Sequence, residues 1–194
     1  MRSDPTSRDR INSFSLVSYI PPPLASFLDN LRRELVPQTC HRAHVTVLPP
    51  RPLAIAADDA WRHIRALAPG FRAFEAALGE VQVFPVSGVV YLEIGPGADQ
   101  LREMHAVFNS GALQAPEVFD FHPHVTLAQD IRADDAARII DTARRCWAEF
   151  AGERRFCIDS VTFVQNTEAN QWIDLGECRL GAPEMKLLEP LTAG

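Results

Sequence analysis

The sequence has 194 residues, of which 46% are hydrophobic and 23% charged, and its formal net charge at pH 7 is −6. This composition is typical of a folded globular chain and excludes an intrinsically disordered one, whose low hydrophobicity could not offset the entropy lost on ordering. The negative balance argues against a broad basic surface that grips duplex nucleic acid.

The N-terminal residues and the cysteines predict the cellular location of the protein. Residues 1–10 are polar and charged, without the apolar segment of a secretion signal. The apolar stretch that follows is broken by three prolines at 21–23, so we expect no membrane span. The cysteines have no CxxC pair and no metal-like spacing, which favours reduced thiols. We therefore expect a soluble cytoplasmic protein, and we take it to be a monomer. The cysteines are Cys40, Cys146, Cys157 and Cys178.

Hydrophobic periodicity predicts an alternation of strands and helices in the first half of the chain. Residues 13–20 alternate as a strand does, and the prolines at 21–23 end it. Apolar residues from Leu24 to Leu35 recur at the spacing of one helical face. The predicted elements are a strand at 13–20, a helix at 24–35, a strand at 44–48 closed by Pro49 and Pro50, a helix at 58–68, and one or two strands within 71–84.

The second half of the chain is predicted to contain elements of the same kinds. The helix at 98–108 places His105 on its apolar stripe, where we expect a packed core residue. The segment after Gly181 carries no readable pattern. The predicted elements are a strand at 89–94, a helix at 98–108, a strand at 125–128, a helix at 134–150, and strands at 156–164 and 171–175.

These elements conceal an internal repeat. The segment HVT at 44–46 returns at 124–126, and the segment ADDA at 57–60 returns at 133–136. The order strand, helix, HVT strand, ADDA helix, strand therefore occurs twice. We interpret this order as two lobes related by a pseudo-two-fold axis, which predicts an α+β fold with an antiparallel sheet in each lobe, helices packed outside and a cleft between them.

The repeat also predicts the domain organisation. We expect one two-lobed domain whose repeat halves are about 13–86 and 87–176. The predicted segments are a flexible N-terminus at 1–12, the domain at 13–181 and a C-terminal tail at 182–194.

The repeated HVT segments carry the candidate chemistry. Residues i and i+2 of a strand point to the same face, so His44 projects with Thr46, and His124 with Thr126. Val45 and its counterparts at 47, 125 and 127 then face the core. If the axis relates the lobes, two imidazoles and two hydroxyls face each other across one cleft.

This arrangement suits acid–base cleavage of a phosphoester. An imidazole titrates near pH 6.5, so one ring can accept a proton while the other donates one. Each such transfer contributes roughly 10²–10⁴ in rate. Threonine hydroxyls can donate to the phosphate oxygens, which gain charge as phosphorus is attacked. The rival interpretation is a metal site, because His41 and His122 add two imidazoles. Neither of them has a histidine at its repeat position, so we expect no metal.

The motifs HVTVLPP at 44–50 and PHVTLAQ at 123–129 resemble those of the 2H phosphoesterase superfamily, which includes 2′,5′ RNA ligase and RNA 2′,3′-cyclic phosphodiesterase proteins. The resemblance implies a two-lobed α+β fold and a site that needs neither metal nor cofactor. It also implies that His44 is the proton donor, that His124 is the proton acceptor, and that Thr46 and Thr126 hold the phosphate.

The flanking residues suggest how a substrate is held. Arg42 and Arg51 lie beside the first motif and are candidate phosphate contacts. Four aromatic residues are candidates for base stacking, although core packing explains them as well. We predict hydrolysis of a 2′,3′-cyclic phosphate on a nucleotide or RNA end, and neither duplex nucleic acid nor a membrane as a partner. The alternatives are a non-catalytic nucleotide or RNA-end binding module and a 2′,5′ RNA ligase. The aromatic candidates are Tyr91, Phe119, Phe121 and Trp172.

Overall fold

The two HVT segments lie on strands of different antiparallel sheets. A computed structural model of the chain describes residues 9–39 and 41–181. Residues 1–8, Cys40 and 182–194 lie outside it, and with them most of the predicted N-terminal segment and the whole predicted C-terminal tail. In chain order the elements are β1 (Arg10–Tyr19), α1 (Leu24–Leu35), β2 (His44–Arg51), α2 (Ala57–Leu67), β3 (Phe74–Val83), β4 (Val90–Ile94), α3 (Ala98–Phe108), β5 (His124–Ala128), α4 (Ala133–Glu149), β6 (Arg155–Ile158), β7 (Ser160–Thr167) and β8 (Trp172–Arg179).

The sheets confirm the predicted α+β class. Within the described residues each sheet has four strands, in the orders β2-β1-β7-β8 and β5-β4-β3-β6, and every pairing is antiparallel. The sheets do not follow the halves of the repeat one to one. Strand β3 of the first half pairs with β4 in the second sheet, and β7 of the second half pairs with β1 in the first sheet. Each sheet therefore contains strands from both halves of the repeat.

Several strand boundaries differ from the sequence prediction, among them β8, which continues to Arg179. Strand β1 begins at Arg10, which pairs with Thr167, so the predicted flexible segment 1–12 loses its last three residues to the sheet. Strand β2 continues through Pro49 and Pro50, since it is an edge strand and a missing N–H costs no ladder bond on the open side. The strand predicted at 156–164 divides at Asp159 into β6 and β7, which join different sheets.

The core occupies one face of each motif strand. Val45, Val47, Val125 and Leu127 are buried, as the two-residue period predicts, and they belong to one continuous hydrophobic cluster. Residues 41–48 and 121–128 share the same alternation of buried and half-buried positions. The repeat therefore determines which face of each motif strand packs in the core and which carries the histidine and the threonine.

The helices cross between the lobes. Helix α1 follows β1 of the first sheet but packs against β5 of the second, and α3 packs against β2 of the first. This crossing brings side chains of α1 to the start of β2, beside the first HVT motif. Among the described residues no helix combines the length and the apolarity that crossing a bilayer requires.

Candidate active site

The two HVT motifs line one cleft where the sheets meet. Strands β2 and β5 contact each other, and His44, Thr46, His124 and Thr126 are half-buried residues of the same cleft, whose volume is about 1400 Å³. The structure thus brings together the four residues that the sequence singled out. Their catalytic and binding roles are taken up below.

Both motif histidines have the same backbone tether. The Nδ1 atom of His44 lies 2.7 Å from the carbonyl oxygen of Arg42, and Nδ1 of His124 lies 2.6 Å from the carbonyl oxygen of His122. A carbonyl oxygen only accepts, so Nδ1 carries the proton in each neutral ring. The Nε2 atoms are then left with their lone pairs, and neither has a hydrogen-bond partner among the described residues.

The two threonine hydroxyls are placed alike. Thr46 pairs with Val17 of β1, and Thr126 pairs with Tyr91 of β4. In the described part of the chain neither hydroxyl has a hydrogen-bond partner, and both residues line the cleft. Each hydroxyl is therefore available to donate to an oxygen of a bound group.

The protein surroundings favour neutral rings. Desolvation lowers the pKa of His44 to about 4, and the nearby positive charges of Arg32, His41 and His124 act in the same direction. Desolvation likewise lowers the pKa of His124, aided by His122. The protein surroundings alone therefore keep both rings neutral at pH 7. An anion bound between them would stabilise the imidazolium forms and raise both pKa values.

The side of the cleft next to His44 is polar and charged. The Arg42 guanidinium lies 3.5 Å above the centroid of the Tyr19 ring and forms an ion pair with Asp174. The Tyr19 hydroxyl donates to Asp174 Oδ1 at 2.7 Å, and burial together with Asp174 raises the pKa of Tyr19 to about 12. Arg42 thus lines the cleft, as the sequence predicts, but Asp174 compensates its charge.

Arg51 lines the cleft, and its guanidinium is hydrogen-bonded within the protein. It is 5% exposed, and its guanidinium donates to Asn109 Oδ1 at 2.6 Å, to the Leu113 carbonyl at 3.0 Å and to Glu117 Oε1 at 2.9 Å. These bonds fasten the segment after α3 to the end of β2. Because its donors are engaged within the protein, we leave Arg51 out of the proposed phosphate contacts.

The side of the cleft next to His124 is aromatic. Phe84 stacks on the buried Tyr91 with centroids 4.0 Å apart, and the His124 ring makes T-shaped contacts with the two rings at centroid distances of 5.1 and 5.3 Å. His122 contacts the same pair edge-on. The sequence prediction missed Phe84, which follows the last residue of β3 and lines the cleft.

The other aromatic candidates differ in what they contact. Phe119 and Trp172 line the cleft, and Phe119 is 67% exposed. Phe121 lines the cleft as well, and its ring stacks on His105 with centroids 3.9 Å apart. His105 is buried, and its Nδ1 donates to the Val47 carbonyl at 2.8 Å, which confirms the predicted core position.

Arg32 is a cleft residue that the sequence analysis missed. It is 4% exposed, and its Nη1 donates to the Arg42 carbonyl at 3.1 Å, the same oxygen that accepts from His44. The signal was present in the sequence. Arg32 lies four residues after Leu28 and three before Leu35, so it interrupts the apolar face of α1.

The histidines of the rival metal interpretation have other contacts. His41 Nε2 lies 3.2 Å from the Asn170 carbonyl, and His122 packs on Phe84 and Tyr91. Over residues 9–39 and 41–181 no three His, Cys, Asp or Glu side chains are grouped so as to hold a metal ion.

Comparisons with known proteins place this site in context. A model of the 2′-5′ RNA ligase superfamily matches residues 20–170. A protein of Bacillus licheniformis, whose name assigns it provisionally to the phosphoesterases, is 29% identical over 84 residues, 43% of this chain and 49% of that protein. The match therefore spans about half the length of that relative.

Solved structures show the same fold at low identity. The crystal structure of E. coli LigT in its apo form superposes with a TM-score of 0.60 at 16% identity, covering 89% of this chain and 99% of LigT. The structure of E. coli LigT complexed with 3′-AMP gives a TM-score of 0.57 at 17% identity, covering 89% and 98%. At these identities the likeness establishes the arrangement of strands and helices.

Proposed function

The chain belongs to the 2′-5′ RNA ligase superfamily, and on this premise we propose that it hydrolyses phosphodiesters by opening a 2′,3′-cyclic phosphate on a nucleotide or an RNA end. The observation that carries the proposal is the matched pair of histidines. Each ring is tethered through Nδ1 to a backbone carbonyl and each lines one cleft with a threonine two residues later. Two such rings can supply one proton acceptor and one proton donor to a group bound in the cleft.

The reaction needs one proton acceptor and one proton donor. Nε2 of His124 removes a proton from water as the water oxygen attacks phosphorus. The imidazolium of His44 gives its Nε2 proton to the ribose oxygen whose bond to phosphorus breaks. The product is a ribose hydroxyl and a phosphomonoester, and exchange with solvent then resets both rings. Thr46 and Thr126 donate to the oxygens that gain charge during attack.

The anionic substrate supplies the negative charge that favours protonation of His44. With its pKa near 4, His44 is almost wholly neutral at pH 7 and could not donate a proton. A phosphate placed beside it favours the protonated ring, so substrate binding and proton uptake are coupled. An imidazolium held among positive charges is also a stronger acid toward a poor leaving oxygen.

The substrate is proposed to be short or bound at its terminus. A net charge of −6 offers little to a long polyanion, whose affinity comes from many phosphate contacts. Phe84, which lines the cleft beside His124, favours a planar base near the phosphate. The LigT structure complexed with 3′-AMP supports a nucleotide as the ligand class.

Turnover of a 2′,3′-cyclic nucleotide tests the proposal. We expect conversion to a monophosphate in excess chelator, followed by ³¹P NMR, and loss of at least about 10² in kcat for His44→Ala or His124→Ala. His63→Ala, on α2 and away from the cleft, is the matched control. Binding without turnover would favour a non-catalytic module, and joining of RNA ends without hydrolysis would favour a ligase. Either outcome contradicts the proposal.

A further inference from the structure

The backbone just before the first motif is held from helix α1. The Arg42–Ala43 peptide unit is bonded at both its polar ends: Nη1 of Arg32 donates to the Arg42 carbonyl at 3.1 Å, and the Ala43 N–H donates to Asp29 Oδ1 at 2.7 Å. Asp29 and Arg32 are three residues apart on α1, so both side chains leave the helix on one face. Two side chains of one helix thus hydrogen-bond to the same peptide unit, Arg42–Ala43.

This peptide unit is the one that orients His44. The Arg42 carbonyl has two lone pairs, and it accepts from Arg32 on one and from His44 Nδ1, at 2.7 Å, on the other. A rotation of this peptide would move the carbonyl away from the ring and remove the preference for a proton on Nδ1. Both helix contacts involve an ionised group, and such hydrogen bonds are roughly twice as strong as neutral ones.

The second motif lacks this arrangement. The peptide before His124 joins His122 to Pro123, and proline has no N–H for a side chain to accept from. Its carbonyl still accepts from His124 Nδ1 at 2.6 Å. The fixed φ of Pro123 does in the second motif what the helix contacts do in the first.

We propose that Asp29 and Arg32 are positioning residues, which hold the Arg42–Ala43 peptide so that His44 keeps its proton on Nδ1 and turns Nε2 to the substrate. The inference rests on the proposed function, because it concerns the histidine assigned there as the proton donor. It adds residues of a helix that neither motif contains. Asp29 and Arg32 act through His44 and need not touch the substrate.

Arg32 also contributes charge beside the ring. The charged and titratable groups that face His44 are Arg32 from α1, His41 and Arg42 before β2, Tyr19 from β1 and His124 from β5. Removing the Arg32 charge removes one source of electrostatic repulsion on the protonated His44 ring. The pKa of His44 then rises, and the pH dependence of turnover shifts upward with it.

The test uses Asp29→Ala and Arg32→Met, with Arg33→Ala as the matched control from the same helical turn. Arg33 donates to the Asp29 carbonyl and to Asn30 and does not touch the Arg42–Ala43 peptide. Imidazole ¹⁵N NMR reports the tautomer of each histidine without any need for turnover. We expect His44 to lose its Nδ1–H preference in both variants, whereas His124, which Pro123 holds, keeps its own.

The kinetic readout separates positioning from binding. We expect kcat on a 2′,3′-cyclic nucleotide to fall tenfold or more in Asp29→Ala and Arg32→Met, with KM changed less than threefold. Asp29→Asn, which keeps an acceptor oxygen in place, should recover most of the kcat lost in Asp29→Ala. Arg33→Ala should resemble the parent protein in both readouts.

The outcomes are separable from those of the proposed function. A parent protein that turns over no cyclic phosphate overturns the proposed function, while the tautomer measurement still decides whether the helix holds His44. An unchanged His44 tautomer in folded Asp29→Ala overturns the inference, as does an unchanged kcat in a variant whose tautomer is lost. If Arg32→Met does not fold, the less buried Asp29 carries both measurements.

Discussion

The two motif regions share the geometry of their strands but differ in the residues that surround each histidine. Strands β2 and β5 share their burial pattern, their threonines and the tether from Nδ1 to a carbonyl two residues earlier. Around His44 lie Arg32, Arg42 and other polar groups. Around His124 lie the rings of Phe84 and Tyr91. The repeat sets the geometry of the pair, and the flanking residues make its two members unequal.

This inequality is what a paired acid–base site requires. Two identical imidazoles would titrate together and exchange roles, whereas positive charges on one side and an aromatic wall on the other separate them. Each variant below changes one member of a matched pair, so that the response of the two regions can be compared directly.

The largest effects are expected from the histidines. His44→Ala and His124→Ala should each lower kcat by at least about 10², and the double variant should lose little more than the worse single. The reason is that acid and base act in one transition state. Initial rates on folded proteins decide the matter: losses that multiply in the double variant would show two independent contributions and contradict the paired mechanism.

The threonines should come next. Thr46→Val and Thr126→Val each remove one hydrogen bond to a charged oxygen, worth about 1.5–3 kcal/mol, or roughly ten- to a hundredfold in kcat. The valine side chain keeps the volume of the threonine, so the free energy of unfolding should change little. Steady-state kinetics with a cyclic phosphate measures the loss, and parental activity in both variants would exclude the hydroxyls from phosphate binding.

The pH dependence should differ between the free protein and the complex. Desolvation lowers the pKa of His44 to about 4 and also lowers that of His124, so kcat/KM should be bell-shaped with its maximum below pH 6.5. The bound phosphate raises both pKa values, so the kcat profile should lie at higher pH. Profiles with coincident maxima would contradict the proposed coupling of proton uptake to substrate binding.

The smallest effects concern the residues before the two histidines. Pro123→Ala gives the unfolded chain more conformational freedom and should lower the free energy of unfolding by about 0.4–1 kcal/mol. The mirror change, Ala43→Pro, also deletes the N–H that binds Asp29 and should cost more. Urea unfolding of both variants gives the comparison. Because a proline at 43 also restricts the unfolded chain, an Ala43→Pro variant at least as stable as the parent would mean that the contact with α1 adds nothing to stability.

The parts that local patterning governs could be predicted from the sequence. The two-residue period of β2 and β5 identified both the core-facing valines and the cleft-facing histidines. Helix α3 lies at 98–108, as its apolar spacing predicts. These features depend on neighbours along the chain, which the sequence displays directly.

Features that depend on distant partners could not be predicted in this way. Whether Pro49 can lie in a strand depends on which strand is at the edge, and the division at Asp159 depends on two sheets competing for one segment. Arg51 looks like a phosphate contact until the loop that carries Glu117 is placed beside it. The grip of α1 on the Arg42–Ala43 peptide joins residues whose spacing shows no pattern.

The exchange of β3 and β7 between the sheets has a consequence for cutting the chain. A fragment that ends near residue 86 would carry β1 without β7, leaving one of its edges open, and β3 without β4. Unpaired strand edges recruit other strands. Such a fragment could complete its hydrogen bonds only by intertwining with a second fragment, so the two halves should be recoverable as a reassembled pair and not as separate folded units.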